Sequence, residues 1–186
     1  MRRFEVSSDL GEIPWQASCV TLPRQTLCYV FRDQVDGSRH VLLGRKLRGF
    51  GTGMIMGLGG HVEPGESDAQ AALREVLEES GVAIEPSSIS HRAAITYLFP
   101  TKPSLDAQVA VFFGANWSGT VTESDEIRPQ WFPADAPPLH EMWDDEKYWL
   151  PQVLAGEHLT AVFTFDDTGM RVIDANVEVV APVDLA

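Results

Sequence analysis

Between Gly60 and Val82 the chain reads Gly-His-Val-Glu-Pro-Gly-Glu-Ser-Asp-Ala-Gln-Ala-Ala-Leu-Arg-Glu-Val-Leu-Glu-Glu-Ser-Gly-Val, and no other stretch limits the possible folds so tightly. Pro64-Gly65 is a turn pair, Ser67 is a good N-cap, and Gly81 is a good C′ residue. A helix is therefore predicted between Ser67 and Gly81. On that helix Glu75, Glu78 and Glu79 share one arc about 100° wide. Ala69, Ala72, Leu73, Val76 and Leu77 occupy the neighbouring arc and are expected to anchor the helix to a core. Like charges at these spacings repel by a few tenths of a kcal/mol per pair. Arg74 can pair with Glu78, but one cation does not neutralise several anions. A solvated acidic face is one outcome of such a pattern. A bound divalent cation is the other. Hard cations such as Mg²⁺ take oxygen ligands and share them between carboxylates and phosphates.

The spacing decides between the two. The pattern Gly-x5-Glu-x7-Arg-Glu-U-x-Glu-Glu-x-Gly-U, with U apolar, is met at Gly60, Glu66, Arg74, Glu75, Val76, Glu78, Glu79, Gly81 and Val82. At about 7% per fixed position, a chance match somewhere in the chain is on the order of 10⁻⁷. On these residues the chain resembles the Nudix hydrolases, which cleave a nucleoside diphosphate linked to another moiety. The resemblance implies an α/β/α sandwich built around a strand-loop-helix, and two or more Mg²⁺ ions, with Mn²⁺ as a substitute. It also implies roles. Glu75, Glu79 and the Gly60 carbonyl would be metal ligands. Glu78 would be either a ligand or the water-activating base, and Glu126, which matches a family position facing the metals, is the rival base. Arg74 would hold a glutamate in its rotamer, with Glu66 orienting Arg74 or a metal-bound water.

The rest of the chain supplies a scaffold for this stretch. Its 186 residues suit one domain. Residues 1–24 read as an irregular leader broken by Gly11, Pro14 and Pro23, with Trp15 and Val20 as anchors, and residues 25–186 as the domain. Thr26–Arg32 and His40–Arg45 form a predicted hairpin. Gly49–Gly60 holds six glycines in twelve residues. It contains no Gly-Lys-Ser/Thr or GxGxxG, so its glycines are expected to let the backbone pass close to a ligand and to the helix. Ala93–Phe99 and Gln108–Gly114 read as strands. Val121–Phe132 carries the acidic run Glu123-Ser-Asp-Glu126, and Pro137–Met142 reads as a loop. Asp144–Ala155 is a predicted helix with Trp149, Val153 and Leu154 inward, interrupted by Pro151. In the tail, Leu159, Ala161, Phe163 and Phe165 alternate with polar or small residues, as do Ile173, Ala175, Val177 and Val179 beyond a turn. Together these elements predict an α+β fold with a mixed sheet between helices.

Charge and cysteine content narrow the partners. A formal net charge of −13 argues against a nucleic-acid polymer, whose binding rests on Lys and Arg. It suits a free nucleotide arriving with Mg²⁺. Cys19 and Cys28 show no metal-ligand spacing and are expected to be reduced thiols of a cytoplasmic protein, with a disulfide as the lesser alternative. The N-terminal residues lack an apolar h-region, and no apolar run reaches the length of a membrane span, so neither a secretory signal nor a membrane partner is expected. No pattern specifies an oligomeric state.

The substrate has to be argued from outside the Glu-rich helix. Lys46-Leu-Arg-Gly-Phe-Gly51-x-Gly53, Gly57-x-Gly-Gly60, Glu123-Ser-Asp-Glu-x-Arg-Pro-x-Trp-Phe132 and Met142-Trp143-x-Asp145-x-x-Tyr148-Trp149-x-Pro151 are similar to segments of the oxidised purine nucleoside triphosphate hydrolases, the 8-oxo-dGTP diphosphatases of the animal type. The similarity spans roughly residues 25–181. It implies that Trp143 stacks on the base and that Asp145 and Glu146 read its edge, where the bland alternative is a core tryptophan followed by helix N-terminal acids. Thr26, Lys46, Phe50 and Tyr97 match other pocket positions, each with a packing role as the alternative. The chain departs from the family at Met56, where an asparagine is usual, and at Glu146, where aspartate is usual. The resemblance implies release of a nucleoside monophosphate and pyrophosphate from an oxidised purine nucleoside triphosphate. ADP-ribose, a dinucleoside polyphosphate or a coenzyme A derivative stays open as the substrate. A silent nucleotide-sensing module would be expected to have lost a carboxylate of the motif, and none is missing.

Overall fold

A computed structural model describes residues 22–182. Strand β1 (Arg24–Asp33) turns through Asp36-Gly37 into β2 (Arg39–Lys46), as the hairpin pattern predicts, and a glycine-rich loop leads to the short β3 (Ile55–Met56). Helix α1 (Asp68–Ser80) is followed by β4 (Val82–Ile84), β5 (Ile89–Leu98), β6 (Ala107–Gly114), β7 (Trp117–Gly119) and β8 (Ile127–Pro133). Helix α2 (Glu146–Leu154), β9 (His158–Phe165) and β10 (Val172–Val180) complete the chain. Residues 1–21 lie outside the description, and with them Trp15, Val20, Cys19 and nearly all of the expected leader. Arg24, its last residue, already belongs to β1.

Eight of the strands form one mixed sheet in the order β10-β9-β5-β6-β1-β2-β3, with β8 also on β2, and β4 and β7 pair as a separate two-stranded sheet. β1 runs parallel to β6, and β5 runs parallel to β9. Alternation along β1 divides the core in two. Leu27, Tyr29 and Phe31 pack with Trp149, Leu150 and Val153 of α2, while Cys28 and Val30 pack with Ala72 and Val76 of α1. Period-two side-chain direction thus places one helix on each face, which is the sandwich expected of this pattern.

Three details depart from the sequence reading. Helix α2 starts at Glu146, not Asp144, continues through Pro151, and buries Leu150 completely in addition to Trp149 and Val153. Leu77 is 51% exposed, while Ala71 is fully buried. The packed face of α1 is therefore rotated toward the acidic arc instead of lying beside it. In β10 only Val177 of the four alternating apolar residues packs on the core, and Ile173 and Val179 stay exposed. β10 is the sheet edge and has a single neighbour, and its register slips between Val172 and Asp174.

One pairing positions the site. The second half of β1 is paired with β2, but its first half is paired on that side with the loop before α1. Cys28 and Leu58 exchange backbone bonds of 2.6 and 3.0 Å, and Thr26 N–H donates to the Gly60 carbonyl at 2.8 Å. The glycine-rich segment is thereby laid along the sheet and delivers the chain to Ser67.

Candidate active site

Ser67 caps α1 as expected. Its hydroxyl accepts from Gln70 N–H at 3.2 Å, while the Gln70 side chain accepts from Ser67 N–H at 2.9 Å. Gly81 closes the helix with φ of 70°, and its N–H bonds to the Leu77 carbonyl. Between these caps the acidic residues take three different environments. Glu79 turns inward and accepts from Gly59 N–H at 2.8 Å. Glu75 lies against Gly60 so closely that a Cβ there would come within 2.5 Å of its carboxylate oxygen. Glu78 is 59% exposed and meets Arg74 at 3.2 Å.

Arg74 links the acids. Its Nε and Nη2 donate to both oxygens of Glu66 at 2.8 and 3.0 Å, Nη1 donates to Glu75 at 2.9 Å, and Nη2 also donates to the His61 carbonyl at 2.9 Å. Glu66 thus fixes the guanidinium, and the guanidinium fixes Glu75. The hydrogen bonds from Arg74 and the Glu63 backbone hold Glu66 below the usual carboxylate range. Glu126 is held by Arg48 and is likewise lowered.

Glu79 has no such partner. Burial pushes its carboxyl up to about 8 and the charges of Glu75 and Glu126 push the same way, against the Gly59 N–H and the charge of Lys46. The oxygen donors set against this loop are the Glu75 carboxylate at Gly60 and the Glu79 carboxyl at Gly59. Among the described residues no three acidic, histidine or cysteine side chains by themselves enclose a cation, because Glu78 and Glu126 are drawn to arginines. The set still fits a hard divalent cation, which commonly takes one or two protein carboxylates and completes its shell with water and phosphate.

Two expected outcomes follow from this geometry. Gly60→Ala should lower turnover by about tenfold or more, because the new methyl group displaces Glu75. Turnover equal to wild type would show that the Glu75 position is unimportant. In chelator, Glu79 stays protonated in the folded protein up to about pH 8 but ionises above its ordinary 4.5 when unfolded. Its stabilising contribution is complete below about pH 4.5 and is lost as pH rises through about 8. Thermal scans should show wild type losing stability relative to Glu79→Gln between about pH 4.5 and 8 and no further above that. A constant difference would contradict the buried, unpartnered carboxyl.

A second acidic site lies at the start of α2. Asp145 and Glu146 are each only 2% exposed, so they are not surface helix-cap acids. Tyr97 hydroxyl and Trp149 Nε1 both donate to Asp145 Oδ2 at 2.8 Å, and Tyr29 hydroxyl donates to Glu146 Oε2 at 3.3 Å. Burial, then the charge of Asp145, push Glu146 well above the ordinary range. Burial also raises Asp145, but the bonds from Trp149 and Tyr97 oppose it. Both carboxyls are thus pushed toward their protonated forms, and the two donors to Asp145 favour the charge of the pair on Asp145 over Glu146.

Aromatic rings stand next to these acids. Phe50 and Trp143 meet at 5.2 Å with planes tilted by 41°, and Trp143 also meets Phe165 edge-on at 6.4 Å. Gly51, at φ of 80°, allows the approach, since a Cβ there would lie 2.3 Å from the Trp143 ring. Met56 is half-buried on β3, next to Gly57, whose backbone packs on Tyr29. Thr26 and Lys46 stand apart from this group. Thr26 shares its side of β1 with Arg24, which pairs with Asp68 of α1, and its buried hydroxyl has no hydrogen-bond partner among the described residues. Lys46 is close enough to Glu79 and Glu126 to favour their charged forms.

The NUDIX domain profile matches residues 21–153 of the chain. The chain belongs to the NUDIX family. Among its relatives, the oxidized purine nucleoside triphosphate hydrolase of Mus musculus is 41% identical over 143 residues, covering 76% of this chain and 86% of the mouse protein. The protein of the same description from Danio rerio is 42% identical over 125 residues, or 67% of this chain and 78% of its own. The MutT protein from Bacillus halodurans shares the fold with a TM-score of 0.71 at 23% identity, over 84% of this chain and 98% of that one. Within the NUDIX domain, sequence reasoning missed Tyr29 and took Trp149 for a core residue alone. The available signal was chemical: a tyrosine or tryptophan in a buried run needs a partner for its polar atom. Trp149 also lies four residues after Asp145, one helical turn away.

Proposed function

We propose that this NUDIX protein is a Mg²⁺-dependent nucleoside triphosphate pyrophosphohydrolase that removes oxidised purine nucleotides such as 8-oxo-dGTP from the precursor pool, with Mn²⁺ able to replace Mg²⁺. The observation that carries the reading is the buried Asp145–Glu146 pair, with the Glu146 N–H bonded to the carbonyl of Trp143, whose ring packs with Phe50. A carboxyl pair that shares a proton can both donate to and accept from a purine edge, and the Trp143 indole would supply the stacking surface.

The phosphates belong at the other acidic site. Glu75, Glu79 and the Gly60 carbonyl would hold the cation, which when bound neutralises phosphate charge and lowers the pKa of its water. Arg74 keeps Glu75 in place, and Glu66 keeps Arg74 in place. Glu78, exposed on the same helix, and Glu126, on the segment before β8, are the two candidates for taking the proton of the attacking water. Attack at phosphorus breaks one phosphoanhydride bond, and pyrophosphate leaves from the nucleoside monophosphate. The reading places the enzyme in the cytoplasm. Among the described residues Cys28 is a buried free thiol, and no described helix is long and apolar enough to cross a membrane.

The test is the product pair. A nucleoside triphosphate incubated with the protein and Mg²⁺ should give monophosphate and pyrophosphate, and neither product in chelator. Diphosphate and phosphate, or binding without turnover, would overturn the proposal. Met56 supplies a finer check, since a thioether discriminates polar base edges poorly. Met56→Asn should change the ratio of kcat/KM between oxidised and unmodified purine triphosphates by about tenfold. An unchanged ratio would remove Met56 from the pocket.

A further inference from the structure

Away from both acidic sites, two adjoining clefts of about 300 and 270 Å³ open at the opposite end of the sheet, sharing Phe31, Arg39 and Ala115. β1 runs from Thr26, beside Gly60, to Asp33 at the hairpin, so this end lies roughly 20 Å from the glutamate motif. The smaller cleft is lined by Arg39, Arg92, Ser90, Phe31, Phe113 and the exit of α2 at Gly156. Arg39 stands over the Phe31 ring at 4.3 Å and Arg92 over the Phe113 ring at 5.1 Å, while the two rings meet edge-on at 4.7 Å. Each ring of one aromatic pair therefore carries a guanidinium group. Arg92 gets there through a bulge, since the register of β5 with β6 slips between His91 and Ala93. Bulges commonly re-aim a side chain in this way.

Carboxylates pair with these arginines less closely than with most others among the described residues. Arg24, Arg45, Arg48, Arg74 and Arg128 each have a carboxylate partner. Among the described residues Arg92 has none. Its Nη1 meets His158 Nε2 at 2.9 Å, and its Nε is buried without a hydrogen-bond partner. Arg39 comes no closer than 3.8 Å to Asp33, which is itself 82% exposed. Burial and the neighbouring charge of Arg39 hold Arg92 below the usual arginine range. In a chain of net charge −13, these two arginines have between them one long contact to an exposed carboxylate among the described residues.

We propose that this cleft is a second, non-catalytic anion site that takes the phosphoryl group of a small molecule. A phosphoryl dianion offsets both guanidinium charges, and its oxygens match the planar N–H fork of arginine. The cleft is at the lower limit of small-ligand pockets, which suits a small phosphorylated compound better than a polymer. Occupancy would tie the β1–β2 hairpin to β5 and to the end of α2. The site is independent of the proposed reaction.

The test uses the full chain, isotope-labelled, with chelator present and ionic strength constant, titrated with inorganic phosphate. Saturable amide shifts are expected near Arg39, Arg92, Ala115 and Gly156, with Gly59 and Gly60 unmoved, and pyrophosphate should act at the same positions. Arg39→Gln, at an exposed side chain where folding is safe, should weaken phosphate binding by about tenfold. Arg92→Gln in addition should abolish it, and if that pair fails to fold the single variant decides. Unchanged phosphate affinity in Arg39→Gln, or shifts confined to Gly59 and Gly60, overturns the proposal. Acetate binding as tightly as phosphate overturns the phosphoryl assignment.

Discussion

Glu79→Gln is expected to lower turnover at saturating Mg²⁺ by about 10³-fold or more while leaving the fold intact. Glutamine keeps the length and shape of glutamate and can still accept from Gly59 N–H, so the 2.8 Å bond that seats the side chain survives. What disappears is one negative charge from a set of two carboxylates and a carbonyl. That charge sits in a partly desolvated position, where it counts for more than at the surface. The packed residues of α1, Ala71, Ala72 and Val76, do not change. The checks are steady-state turnover across a Mg²⁺ titration and a thermal scan in chelator. Turnover within tenfold of wild type would remove Glu79 from the metal ligands.

Asp145→Asn should reduce kcat/KM for an oxidised purine triphosphate by about 10²-fold with little change in Mg²⁺ dependence. Tyr97 and Trp149 both donate to one oxygen of Asp145, so an asparagine must keep its oxygen there. Its NH₂ then replaces the other carboxylate oxygen, turning an acceptor into a donor at the place where a base edge would bind. Removing the neighbouring charge also releases Glu146 from repulsion, altering the shared protonation of the pair. Trp143→Ala tests the stacking face separately and should cost roughly 1–3 kcal/mol, by analogy with base–aromatic stacking. Unchanged rates and substrate ranking in both variants would place the base pocket elsewhere.

The glutamate motif was legible because its function is written in spacing: one helix, fixed intervals and capping residues at each end. The hairpin and the alternating β9 were legible for the same reason. The rotation of α1 was not, because the choice between Leu77 and Ala71 as buried residue depends on how closely the loop at Gly59 and Gly60 approaches the helix. That approach is set by Cys28 and Leu58 pairing across the chain, a long-range contact with no local signature. The exposure of Ile173 and Val179 was hidden too, since alternation marks a strand without showing whether anything covers its apolar face. At the second acidic site, the family likeness pointed to Trp143, Asp145 and Glu146. The hydrogen bonds that make two buried acids tolerable come from Tyr29, Tyr97 and Trp149, on three different elements. Only the fold brings those together.

The most direct measurement is a panel of kcat/KM values with Mg²⁺ and identified products, comparing 8-oxo-dGTP, dGTP, the other unmodified triphosphates, ADP-ribose and a dinucleoside polyphosphate. The account predicts the highest value for an oxidised purine triphosphate, with monophosphate and pyrophosphate as products and complete loss in Glu79→Gln. A higher value for ADP-ribose or the dinucleoside polyphosphate, with oxidised and unmodified purines treated alike, would contradict it.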